Sequence, residues 1–339
     1  MSQVAFYATR HGLFAHYESD ACIGASLRQY GEWAESEISQ IRQYLKSGSF
    51  VIDVGANVGT HSVAFAQHVG SEGFVISVEA QPEVHVLLAS NIVMNQMQGR
   101  VVALNALASS KQNVSPYVAS PDKNSENFGA ESFTVEREAV VSKRAVMTSL
   151  PVIRIDDMNL IRCDLIKIDV EGMELDVLNG SVETIKRHNP IIYFEQNSDR
   201  NFAEIHSMLN KIGYKLYWHV SNPFNTSNFQ NNTVNIFGGA VELNVLALPT
   251  GIEMTTGLPE AQSGKFQPPL PTHAEGLPGE PVPEGEAADV SANLNWVPAK
   301  SLETVKAELD ALRDDRTEAQ NVIEYQQAMI ENARRALNP

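Results

Sequence analysis

The chain has 339 residues, of which 43% are hydrophobic, and a formal net charge of −16. This apolar content is ample for a buried core, whereas the negative charge opposes non-specific binding to nucleic acid or to anionic lipid. The two cysteines, Cys22 and Cys163, have no paired or metal-ligand spacing, and no segment has the roughly 20 apolar residues of a membrane span. We therefore expect a soluble, cytoplasmic protein with neutral or cationic partners.

The first 47 residues predict a polar lead-in that is dotted with aromatic side chains and ends in a helix over 35–45. From residue 48, short apolar runs alternate with helical patterns. The runs predict strands over 50–54, 74–79, 101–107, 165–170 and 191–195. The helical patterns cover 58–69, 83–94, 173–188 and 202–212. A closing antiparallel pair is expected over 214–220 and 242–248, so the chain predicts a doubly wound, mostly parallel α/β sheet.

Two regions depart from this alternation. Residues 109–148 are polar and weakly periodic, and we interpret them as an insertion over the rim of the sheet or as a mobile loop with a small hairpin. Residues 250–299 are rich in proline, glycine and glutamate, which predicts a disordered linker. The α/β region is thus expected to span 48–249.

The last segment, residues 300–339, predicts an amphipathic helix. Leu302, Val305, Leu309 and Leu312 begin an apolar seam with alternating three- and four-residue spacing. This seam suits self-association or docking on a partner helix through 301–337. Packing onto its own domain, or a frayed helix, is equally compatible with the alanines and polar breaks.

Four of the apolar runs end on a carboxylate: Asp53, Glu79, Asp169 and Glu195. The carboxyl ends of parallel strands meet at one rim, where open α/β sheets bind ligands. Asp53 runs directly into a glycine turn over 53–60. The sequence therefore predicts a binding site for a cationic, nucleoside-like ligand.

The glycine turn distinguishes between nucleoside cofactors. A dinucleotide site requires glycine at the first, third and sixth turn positions, which here hold Gly55, Asn57 and Thr60. Asp53 would also place negative charge near the pyrophosphate. S-adenosylmethionine fits better, because Asp53 can bind its ammonium group and Glu79 can accept hydrogen bonds from both ribose hydroxyls.

The chain resembles the FkbM-type methyltransferases over roughly residues 20–250. The shared residues are Tyr30-Gly31-Glu32-Trp33 with Glu37, the run 51–59, Glu79-Ala80-Gln81-Pro82 with Asn91 and Asn95, and above all the run 164–174. The resemblance implies an S-adenosylmethionine-dependent O-methyltransferase with a Rossmann-like, seven-stranded sheet. It also implies cofactor contacts at Asp53, Gly55, Ala56, Asn57, Gly59, Thr60, Glu79, Ala80, Asn105 and Ala106. Ala80 departs from the proline common in the family.

Methyl transfer to a hydroxyl requires alignment and a group that removes the hydroxyl proton. Asp169 is the first candidate for this group. Glu171 and Glu195 are expected to assist, and mutual repulsion could raise the pKa of one of them, although Glu171 is equally suited to capping a helix. Lys167 is expected to pair with a neighbouring acid. No metal is predicted, although these three acids could hold a divalent ion if they converged.

The predicted acceptor wall combines aromatic and polar side chains, which suit a sugar ring. Its residues are Tyr30, Glu32, Trp33, Trp218 and His219. Packing in the core is an equal alternative for Trp218, and His61 could face either the methionine end of the cofactor or the helix exterior. We expect glycan methylation, with a saccharide, glycolipid or glycosylated metabolite as acceptor. The alternatives are a small secondary-metabolite hydroxyl, or a non-catalytic cofactor-binding protein recruited through the C-terminal helix.

Overall fold

The computed structural model describes residues 3–111, 115–118, 147–253, 257–262 and 265–269. The chain divides into two units, Met1–Leu270 and Pro271–Pro339, and all of the described residues belong to the first. The predicted C-terminal helix lies outside the described residues, as do most of the predicted insertion and most of the predicted linker. No helix among the described residues is both long enough and apolar enough to cross a bilayer.

The strands and helices follow the predicted alternation closely. The strands are β1 Val4–Thr9, β2 Gly12–Tyr17, β3 Phe50–Val54, β4 Phe74–Glu79, β5 Val101–Asn105, β6 Leu107–Ala108, β7 Ser115–Val118, β8 Met147–Leu150, β9 Val152–Ile153, β10 Leu165–Ile168, β11 Ile191–Glu195, β12 Tyr214–Ser221 and β13 Glu242–Pro249. The helices are α1 Ile23–Tyr30, α2 Glu35–Arg42, α3 Thr60–Val69, α4 Pro82–Met94, α5 Glu174–Asn179, α6 Val182–His188 and α7 Phe202–Lys211.

The central sheet has seven strands in the order β12-β13-β11-β10-β3-β4-β5. Strands β3, β4, β5, β10 and β11 are parallel, whereas β13 runs antiparallel to both β11 and β12. Apolar clusters cover the two faces of the sheet, which explains why its strands read as continuous apolar runs. The predicted fold class is therefore confirmed.

Two predicted elements are divided in the structure. The helix expected over 173–188 forms two helices, because the chain turns at Gly180, where an added Cβ would lie 2.7 Å from the carbonyl oxygen of Ser109. The strand expected over 101–107 leaves the sheet after Asn105. Leu107 and Ala108 pair instead with Val152 and Ile153.

The predicted lead-in contains regular structure that the sequence pattern did not indicate. Strands β1 and β2 form a hairpin, and its second strand is held by Asn91 of α4 and by Asn95, which caps the C-terminus of that helix. The Asn91 side chain accepts from the N–H of Ala15 (2.7 Å) and donates to its carbonyl (3.0 Å). Asn95 makes the same pair of bonds with Leu13. These amides satisfy backbone groups on an otherwise open strand edge.

The N-terminal segment is also joined by hydrogen bonds to the loop over 222–240. The buried carboxylate of Glu32 accepts from Arg10 (2.7 Å), from the Asn225 amide (2.7 Å) and from the N–H of Phe229 (2.8 Å). Tyr30 donates its hydroxyl to the Val234 carbonyl (2.9 Å). The two segments, distant in sequence, thus form one wall beside the carboxyl edge of the sheet.

Replacing Glu32 should therefore weaken the fold. Glu32→Ala leaves Arg10, Asn225 and Phe229 without their shared acceptor, and we expect the free energy of unfolding to fall by about 2 kcal/mol. Chemical denaturation followed by circular dichroism measures this change. The exposed Glu72→Ala variant is the control and should remain within about 0.5 kcal/mol of the wild type. Equal stability of the two variants would contradict the assigned role of Glu32.

Candidate functional site

A cavity of about 360 Å³ opens at the carboxyl ends of the parallel strands. Its wall includes the turn after β3, the end of β4, the segment after β10 and the end of β11. Among the predicted cofactor contacts, those that line the cavity are Gly55, Ala56, Asn57, Thr60, Glu79, Ala80 and Ala106. The three predicted catalytic acids, Asp169, Glu171 and Glu195, line it as well.

The glycine turn is shaped by two close approaches. Gly55 has φ +74°, and an added Cβ would lie 1.7 Å from the carbonyl oxygen of Asp169, so the ends of β3 and β10 meet only because this residue is glycine. Gly59 has φ +90°, and a Cβ there would meet Leu88 of α4 at 2.7 Å. Gly59 thus lets α3 pack against α4 and does not line the cavity.

Glu79 is a buried carboxylate that faces the cavity. Its Oε2 accepts from the N–H of Asn57 (2.9 Å), and its Oε1 accepts from the N–H of Gln81 (2.7 Å). Burial raises the pKa of Glu79 to about 7 despite these two bonds. Each oxygen of the Glu79 carboxylate can accept one more hydrogen bond. Behind it, the Asn105 amide donates to the Glu79 carbonyl (2.9 Å), so Asn105 positions the strand end from outside the cavity.

Asp53 does not face the cavity, contrary to the expectation that it binds a ligand ammonium. It is fully buried, accepts from the Ser62 hydroxyl (2.6 Å), and lies 3.6 Å from Lys167 Nζ. Lys167 also donates to Asp169 (3.1 Å). Burial alone would lower the pKa of Lys167, but the carboxylates of Asp169, Asp53 and Glu37 raise it above its ordinary value. Lys167 thus pairs with neighbouring acids, as the sequence predicts.

Asp169, Glu171 and Glu195 converge, and one oxygen from each lies within 4.8 Å of the others. Burial, followed by repulsion from Asp169, raises the pKa of Glu171 to about 7 and that of Glu195 to about 9. Such a group favours a cationic ligand. It also has the oxygen chemistry to hold a divalent cation, the arrangement that the sequence left conditional on convergence.

Two further residues of this region, Glu242 and Glu37, were not among the predicted site residues, and His61 was left open between the cofactor and the helix exterior. Glu242, the first residue of β13, and His61, in the first turn of α3, both line the cavity. Glu37 of α2 is buried behind them, and its pKa is lowered to about 2. Burial opposes that ionisation, but the His61 ring at 3.4 Å and the Ser221 hydroxyl, which donates to Glu37, favour it. Glu242 could have been found from the topology, because an antiparallel strand begins at the rim where its parallel neighbours end.

The predicted acceptor wall is only partly present. Trp33 lines the cavity, whereas Tyr30, Glu32, Trp218 and His219 do not, and the prediction is corrected for these four. Tyr30 and Glu32 fasten the N-terminal wall. Trp218 is buried and stacks on Phe202, and His219 lies 2.7 Å from the Tyr193 hydroxyl. Trp33 is joined instead by the side chains of Cys22, Ile23 and Met173.

Comparison with known proteins identifies the central region. Residues 53–216 match the family model described as methyltransferase FkbM domain. The methyltransferase sdnD of Sordaria araneosa is 28% identical over 160 residues, which cover 40% of this chain and 61% of that protein. The chain thus spans about three fifths of the length of this curated relative.

Two methyltransferases of known structure resemble this chain in backbone fold. Methyltransferase FkbM from Methylobacillus flagellatus is 15% identical, with a TM-score of 0.39, over 60% of this chain and 44% of that chain. A SAM-dependent O-methyltransferase from Thermotoga maritima is 14% identical, with a TM-score of 0.40, over 74% of this chain and 79% of that chain.

The raised pKa of Glu195 makes the stability of the free protein depend on pH. A folded-state pKa of about 9, above the ordinary 4.5, means that stability is lost as pH rises toward 9, because the folded protein resists ionisation. Glu195→Gln mimics the protonated acid. We expect its stability relative to the wild type to increase by about 1 to 3 kcal/mol between pH 6 and pH 9.

Denaturant unfolding at the two pH values measures this change. The exposed Glu204→Gln variant is the matched control, and its stability relative to the wild type should not depend on pH. An equal response of Glu195→Gln and Glu204→Gln would contradict the electrostatic description of the cavity.

Proposed function

We propose that this protein transfers the methyl group of S-adenosylmethionine to a hydroxyl of a saccharide, glycolipid or glycosylated metabolite, and the match of residues 53–216 to the methyltransferase FkbM domain supports the transfer. The observation that carries the proposal is the group of carboxylates at the strand ends, which suits a sulfonium cation. The family supports methyl transfer, and the identity of the acceptor is the part that experiment must establish.

Glu79 is suited to the ribose of the cofactor. It is a cavity-facing carboxylate whose two oxygens each hold one backbone N–H, and each can accept one ribose hydroxyl in addition. The neighbouring wall contributes Val78, Ala80 and Leu107, whose apolar surface suits a nucleobase. The nucleoside would thus lie beside the ends of β4 and β5.

The convergent acids are suited to the reaction itself. In the transfer, the acceptor oxygen bonds to the methyl carbon, the carbon–sulfur bond breaks, and the hydroxyl proton passes to a base. Asp169 is engaged by Lys167 and is better placed to orient the hydroxyl. Glu171, with a pKa of about 7, is the best match for the proton acceptor at neutral pH, with Glu195 beside it.

A small secondary-metabolite hydroxyl is the second candidate acceptor. It is favoured by the apolar character of Cys22, Ile23, Trp33 and Met173 on the cavity wall. An acceptor screen with methyl-labelled S-adenosylmethionine distinguishes the two classes. Base-stable label in a glycan supports the first class, label in a small apolar alcohol supports the second, and cofactor binding without transfer to any acceptor supports a non-catalytic role.

Cofactor binding should depend on Glu79 and should release protons. The ionised forms of Glu79 and Glu171 favour the ligand, and each has a pKa of about 7, so affinity should increase as pH rises from 6 to 8. Titration calorimetry in buffers of different ionisation enthalpy should detect proton release at pH 7. We expect Glu79→Ala to weaken binding at least about tenfold, since two charge-assisted hydrogen bonds are lost.

The control for this measurement is the exposed Glu83→Ala variant at the start of α4, which should bind like the wild type. Unchanged affinity in Glu79→Ala would exclude the assigned ribose contact. Proton uptake on binding would contradict the role of the carboxylates.

The proposed base is tested once an acceptor has been found. Glu171→Gln removes the proton acceptor and keeps the side-chain shape, so we expect kcat to fall about 10²- to 10³-fold with cofactor affinity within a few-fold of wild type. Glu183→Gln, an exposed substitution on α6, should retain full activity. A Glu171→Gln enzyme with wild-type kcat would exclude Glu171 as the base.

A further inference from the structure

In one part of the cavity, a basic and an acidic side chain both lie beside the buried carboxyl group of Glu37. His61 and Glu242 both line the cavity, and both contact the carboxyl group of Glu37. His61 Nε2 lies 3.4 Å from Glu37 Oε2, and burial together with the charge of Glu37 raises the pKa of Glu242. A base and an acid are thus held as neighbours on the cavity wall.

The carboxyl group of Glu37 is held in place by hydrogen bonds from two strands. Glu37 is 4% exposed, and its Oε1 accepts from the Ser221 hydroxyl (2.7 Å) and from the Asn244 amide (2.9 Å). Since Glu37 lies on α2, Ser221 on β12 and Asn244 on β13, three elements fix its position. Within the described residues, His61 Nε2 is a buried atom without a hydrogen-bond partner, and it faces the Glu37 carboxylate at 3.4 Å.

From this geometry we infer that His61 and Glu242 form a subsite for an α-amino acid group, with His61 binding the carboxylate and Glu242 binding the ammonium. The inference rests on the proposed function, because S-adenosylmethionine carries such a group. The first turn of α3 adds the positive end of a helix at His61, which also favours a carboxylate.

Lys167 and Asp53 are less suited to binding the carboxylate and the ammonium group of the ligand. Lys167 already lies 3.1 Å from Asp169 and 3.6 Å from Asp53, so its charge is compensated. Asp53 is enclosed beneath Lys167 and Ser62 and does not line the cavity. Glu242 takes the place that the sequence assigned to Asp53, because it reaches the cavity and its pKa is raised to about 10 by burial and by Glu37, so a ligand ammonium would promote its ionisation.

The test compares two ligands that differ in one group. The full-length protein is titrated with S-adenosylmethionine and with decarboxylated S-adenosylmethionine, which lacks only the carboxylate. We expect His61→Gln to weaken binding of the first ligand about tenfold or more and to leave binding of the second within about twofold. The matched control is His68→Gln, an exposed position on the same helix, which should change neither affinity.

Glu242→Gln is the complementary variant. It should weaken the binding of both ligands, because both retain the ammonium group, and thermal unfolding of each variant should verify that it is folded. Loss of both affinities to the same extent in His61→Gln, or loss of neither, would overturn the subsite assignment. Failure of the wild type to bind either ligand would instead overturn the proposed function.

Discussion

The arrangement of the site depends on the mutual repulsion of carboxylates gathered at one rim of the sheet. Five parallel strands end there, and the antiparallel β13 begins there, so the topology brings their terminal acids together. Lys167 compensates Asp53 and Asp169 from below, whereas Glu171 and Glu195 face the cavity with pKa values raised by burial and by their neighbours. The folded protein therefore maintains a charge imbalance that a cation relieves.

The parts of this site that could be predicted from sequence are those that depend on local pattern. Strands β3, β4 and β11 have the predicted bounds, because they are buried on both faces and end at a carboxylate or beside one. The order of the strands then brings Glu79, Asp169 and Glu195 to one cavity. Glu242 and Glu37 were missed because their positions depend on an antiparallel strand and on a tertiary contact between distant segments.

The acceptor wall shows why composition alone was insufficient. An aromatic residue such as Trp218 has the same sequence signature in a core as on a ligand-binding surface, and here it packs on Phe202. Tyr30 and Glu32 have the aromatic and acidic side chains that suit a sugar, yet their contacts hold the loop over 222–240. Their value to the site is indirect, since the segment they secure places Trp33 at the cavity.

The contacts of the N-terminal segment have a consequence for biosynthesis. Arg10 donates to the carbonyl of Ser227, and the Glu37 side chain accepts from Asn244, so these residues find their partners more than 200 positions later in the chain. On a ribosome that adds residues from the N-terminus, α2 must wait without these partners until β13 has emerged. The earlier segment would thus complete its assembly late, and the finished cavity would exist only in a nascent chain that has been extended past the sheet's final strand.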